Sequence, residues 1–151
     1  MKKLFYILLL FTLLLSACGK NTEPKEVAVD KDTSVKDIVG AIVKNKYTVE
    51  EDKGIVTISI QDTDVREGLK SQMIKDSTKI FAEISKLESV KTPSIIWSAP
   101  LAGPNGSEKM TEVLSIYFDE QDFKEVNWAN YNQLNIESIA THYTENDALE
   151  D

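Results

Sequence analysis

Apolar residues recur along the chain with two alternating periods, and the changes of period divide it into elements. From Ser34 onward, Val35, Ile38, Val39, Ile42 and Val43 fall at i, i+3, i+4, i+7 and i+8, one face of a helix. Ser34 and Asp37 have the spacing of a capping box with Asp in place of Glu. This face is expected to pack on a domain core. Lying on a membrane is the alternative, which the lack of a basic polar face disfavours. The period then drops to two. Residues 46–50 and 55–60 are β-rich runs around a turn at Glu51-Asp52-Lys53-Gly54, which predicts a hairpin. Val56, Ile58 and Ile60 share one face and alternate with Thr57 and Ser59, so one face is buried and one is wet.

Helical spacing returns with Val65, Leu69, Met73, Ile80, Ile84 and Leu87, a stripe broadened by Phe81 and interrupted at Asp76-Ser77. Asp64 and Glu67 again have capping-box spacing, so a long helix is expected from Asp62 or Thr63 to near Glu88. Gly68 would then lie in its interior, at a cost of about 1 kcal/mol relative to Ala. A second hairpin follows, with strands over 94–99 and 113–118 and a long loop rich in turn formers between them. Ile95, Trp97 and Ala99 share one face, with Ile96 on the other. Leu114, Ile116 and Phe118 alternate with Val113, Ser115 and Tyr117, which predicts some cover on the second face. A short helix capped by Asp119 and a last helix over about 136–143 complete the pattern, followed by an acidic tail, expected to be frayed, over 144–151. The fold class is α+β: two layers, with an antiparallel or mixed sheet of about four strands from two hairpins on one long helix. An N-terminal helix and a C-terminal helical segment are added to it.

The N-terminus follows neither period. Lys2 and Lys3 precede an almost unbroken apolar run over 4–15, the layout of a secretory signal and too short to span a bilayer. It ends in Leu15-Ser16-Ala17-Cys18, which resembles the lipobox of bacterial lipoproteins. The resemblance implies that Cys18, the one cysteine, carries diacylglycerol on its sulfur and that cleavage falls between Ala17 and Cys18. Two acyl chains hold a protein stably where one does not. The organisation expected is a signal peptide over 1–17, a lipidated cysteine and polar tether over 18–32, one domain over 33–143 and the tail. Lipidation places the domain on the extracytoplasmic face of a cell membrane and leaves it without a thiol. Ser94-Ile-Ile-Trp-Ser-Ala-Pro-Leu, Glu112-Val-Leu-Ser-Ile-Tyr-Phe and Val126-Asn-Trp-Ala-Asn together resemble the small uncharacterised lipoproteins of low-GC Gram-positive bacteria. That resemblance implies surface attachment and brings no activity or site residue with it. Gly19 after the cysteine resembles an outer-membrane sorting signal should the source be Gram-negative.

Charge and composition then narrow the chemistry. Losing residues 1–17 removes two lysines and no acid, taking the net charge from −8 to −10. That balance argues against nucleic acid, whose phosphates require lysine and arginine, and against a second, electrostatic hold on anionic lipid. His142 is the one histidine, and no Gly-x-Ser-x-Gly elbow accompanies it, so an imidazole-assisted nucleophile is disfavoured. A cation at a helix end is the expected role for His142. Metal ligands would be limited to oxygen, and Asp62-x-Asp64-x-x-Glu67 is already explained by a helix start. No metal, cofactor or catalytic residue is assigned. Aromatics next to asparagines make Trp128 and Tyr131 the candidate ligand-binding surface, against core packing as the alternative for each. The function expected is a non-enzymatic surface module binding an unknown protein or envelope partner. The alternatives are an envelope hydrolase using paired carboxylates and an accessory subunit of a membrane complex.

Overall fold

The computed structural model describes residues 32–149; the signal-peptide, Cys18 and tether assignments lie outside them, as do the last two residues. The capping box forms as expected, with the Ser34 hydroxyl accepting from the Asp37 N–H at 3.1 Å. It starts helix α1, Val35–Ile42, whose Val35, Ile38 and Val39 are buried in the domain core. Strands β1, Lys46–Asp52, and β2, Ile55–Gln61, form the first hairpin. Both central residues of its turn have positive φ, 49° at Lys53 and 90° at Gly54, as a type I′ turn requires.

The long helix α2 runs Leu69–Ile84 and starts later than its periodicity suggests. Asp62 is spent elsewhere: its carboxylate accepts from the N–H groups of Thr63 and Asp64 and from Arg66 and Asn45. Gly68 then adopts a left-handed conformation, φ 73°, at the helix boundary. A right-handed helix cannot run through such a residue, so Gly68 is a start signal and carries no interior cost. Val65, counted in the stripe, is exposed.

α2 crosses back over the sheet, so β3, Thr92–Ala102, pairs parallel with β2. Strand β4, Glu108–Tyr117, closes the second hairpin. Its loop is shorter than expected, because β3 continues through Pro100 to Ala102. Beyond Ser98, β3 has only β4 beside it, and proline is tolerated where a strand lacks one neighbour. At the Trp97/Ser98 register shift, Val113 has no opposite residue.

The C-terminal region departs most from expectation. After α3, Glu120–Glu125, come a 3₁₀ segment, Trp128–Gln133, and a single helical turn, α4, Ile136–Ile139. Residues His142–Glu145 are not helix but a fifth strand, β5, antiparallel to β4. Order therefore continues past 143: Asn146 N–H bonds the Val113 carbonyl at 2.8 Å, and Leu149 is buried. The fold is α+β, its sheet mixed and five-stranded in the order β1-β2-β3-β4-β5. β5 extends the edge and does not lie across the second face, where Ile96, Ser115 and Tyr117 stay half-buried. The other face packs Ile58, Ile60, Ile95, Trp97, Leu114 and Ile116 in the same core as α1 and α2. No helix among the described residues is long and apolar enough to cross a membrane.

Candidate functional site

The inner face of α2 is consumed by the core, through Leu69, Met73, Ser77, Ile80, Phe81 and Ile84. Its outer flank meets the 3₁₀ segment, and what holds that segment in place is aromatic. Trp128 is 9% exposed and packs with Phe81, Phe118 and Phe123 at ring separations of 5.2 to 5.9 Å. Its indole N–H donates to the Phe123 carbonyl at 2.9 Å. The packing is edge-to-face or tilted, the favoured geometry for rings of this kind. Trp128 is thus chiefly a core peg, and only its rim reaches the surface.

That rim borders a cleft of ≈ 470 Å³ between α2 and the 3₁₀ segment, lined also by Lys79, Ala82, Glu83, Lys86 and Tyr131. A second cleft, of ≈ 360 Å³, lies on the other side of Tyr131, between Ile74, Lys75 and Thr78 on α2 and Asn132, Leu134 and Glu137. Tyr131 stands astride both and is half-buried. The two sequence-predicted surface residues therefore meet at one groove, with Tyr131 the exposed partner and Trp128 its support. The sequence pattern does not single out the lysines of this groove, Lys75 and Lys79 on α2 and Lys86 just past its end. Glu83, which is 4% exposed, accepts from Lys86 Nζ at 2.6 Å.

Other sequence candidates lie elsewhere. Trp97 is core, and His142 lies in β5 and not at a helix end, its ring 5.8 Å from that of Tyr117. Asp62 and Asp64 both bind Arg66, at 2.9 and 2.7 Å. Burial raises the Asp62 carboxyl, but Arg66, the two N–H groups and Asn45 outweigh it and hold the group below the usual range. Among the described residues there is no group of three or more His, Cys, Asp or Glu arranged to hold a metal.

Two carboxylates do converge, at the join of α4, β5 and α2. The Tyr143 hydroxyl donates to Glu145 at 2.7 Å and reaches Glu137 at 3.5 Å, while Lys70 Nζ lies 3.0 and 3.8 Å from the same two acids. Burial and then the Glu145 hydrogen bond push the Tyr143 phenol up; the Tyr143 hydroxyl and then Lys70 hold Glu145 down. This cluster ties β5 to the start of α2. No protein-family model, curated protein or solved structure matches the chain.

Proposed function

We propose that the protein is a lipid-anchored surface binding module, held by Cys18 on the extracytoplasmic face and engaging its partner through the groove at Tyr131. The observation that carries the groove is the placement of Tyr131 between two clefts, on a segment pinned from behind by Trp128. A half-buried ring on a rigid support presents a flat apolar face at little entropic cost, which suits binding. The anchor rests on the Lys2-Lys3, apolar run and Cys18 arrangement. Binding is favoured over hydrolysis because the carboxylates at hand are already engaged: Glu83 by Lys86, and the converging Glu137 and Glu145 by Lys70 and the Tyr143 hydroxyl. Glycoside hydrolysis takes two facing carboxylates about 5–10 Å apart.

The test is made in cells expressing the full chain, with a photo-crosslinking residue placed at position 131 or at 57 on the open sheet face. Position 131 is expected to capture a discrete partner and position 57 none. Capture from 57 alone would move the site to the sheet. Cys18→Ser should shift the protein out of carbonate-washed membranes, and retention there would overturn the anchor. Loss of wall-material turnover in Glu137→Gln would favour the hydrolase.

A further inference from the structure

The groove carries a charge opposite to that of the chain. Lys75 and Lys79 stand at i and i+4 on α2, about 40° apart on a helix of 3.6 residues per turn, and Lys86 follows just past its C-terminal end. The chain as a whole carries −8. Of the acids lining the groove, Glu83 binds Lys86 at 2.6 Å and Glu137 lies 3.8 Å from Lys70. Lys75 and Lys79 enter no ion pair among the described residues. Asp76, which interacts with both, is half-buried. Among the described residues, these two lysines thus stand outside any direct ion pair in a strongly acidic molecule.

Charge by itself would suit any polyanion, and the floor of the groove selects among them. Between the lysines it is apolar, formed by Ile74, Ala82, Leu134 and the rings of Trp128 and Tyr131. A uniformly polar polymer would leave that surface uncovered. Resting on the groove reading above, we propose that the occupant is an extended acidic segment of a protein partner, its carboxylates alternating with apolar residues. Lys75 and Lys79 are one turn apart, about 6 Å along the helix axis. Alternate side chains of an extended strand are about 6.6 Å apart and point the same way, so carboxylates meeting Lys75 and Lys79 on the α2 wall leave the intervening apolar residues to the opposite wall, at Tyr131 and Leu134. Lys86, just past the end of α2, is held by Glu83 and marks the end of the run.

The full chain in detergent micelles is titrated with fluorescein-labelled Asp-Val-Asp-Ser-Asp-Leu-Asp-Ser-Asp, with the same peptide carrying Asn for Asp, and with polyphosphate as competitor. The acidic peptide should bind saturably and the Asn peptide at least about tenfold more weakly. Lys75→Glu with Lys79→Glu should cost about tenfold at low salt, a loss that shrinks as salt rises, and Tyr131→Ala should also weaken binding. Circular dichroism is expected to be unchanged in these surface variants. Equal binding of the Asn peptide, full displacement by an equal charge of polyphosphate, or indifference to the lysine reversals would overturn the acidic-peptide assignment. So would no binding of the acidic peptide while position 131 still captures a partner in cells. Failure of both would overturn the groove itself.

Discussion

The Trp97 indole N–H donates to the Ser77 hydroxyl at 2.9 Å, with both side chains fully buried, so one hydrogen bond joins the middle of the sheet to the middle of α2. Ser77 is the polar residue that breaks the apolar stripe of the long helix, and here its reason is found. Among the described residues no buried side-chain nitrogen or oxygen lacks a partner. Removing one side of this pair therefore strands the other.

Ser77→Ala should destabilise the fold by about 1–3 kcal/mol, the cost of an unsatisfied buried donor. Trp97→Phe should cost less when added to Ser77→Ala than when made alone, since no donor is then left behind. Urea unfolding of the four proteins in the cycle measures this. A Ser77→Ala variant matching the parent would dismiss the bond.

The Lys70–Glu145–Tyr143 contact predicts a particular acid sensitivity. Glu145 is held below its ordinary value of 4.5, so its contribution is present above that pH and is lost as pH falls through the lower folded value. Glu145→Gln should lower the urea midpoint at pH 7, and the gap to the parent should close as pH drops below 4.5. A gap that stays constant with pH would assign the loss to packing.

The first hairpin turn is open to improvement. Lys53 occupies a positive-φ position, which asparagine tolerates better than lysine. Lys53→Asn should stabilise, by less than the roughly 1–2 kcal/mol that the left-handed conformation costs an ordinary residue. Gly54→Ala should do the reverse, because its φ of 90° is strained for any Cβ and the Lys91 side chain already lies 2.9 Å from where that atom would sit. Thermal melts of the two variants should move in opposite directions.

Trp128 and Tyr131 should separate cleanly. Trp128→Ala should cost about 3–5 kcal/mol, as for a large core aromatic. Tyr131→Ala, at a half-buried surface position, should cost about 1 kcal/mol and act mainly on partner capture. If Tyr131→Ala unfolded the protein as Trp128→Ala does, the division into peg and presented ring would be wrong.

Where local physics suffices, the sequence by itself determined the structure. The Ser34–Asp37 box, the alternation of Val56, Ile58 and Ile60, and the buried Ile95, Trp97 and Ala99 all depend on spacing within one element, and each is found as expected. Trp128 and Tyr131 were also visible as aromatics beside asparagines. Tertiary structure decided what depends on partners distant in the chain. Asp62 looks like part of a helix start, yet Asn45 and Arg66 draw it into a loop, and Gly68 becomes the boundary. Residues 142–145 have no strong strand signal of their own; the open edge of β4 makes them a strand. The groove belongs to this second class. Its Lys75 and Lys79 lie on α2 and its ring on the 3₁₀ segment much further along the chain, and the packing of Trp128 on Phe81 helps set one against the other.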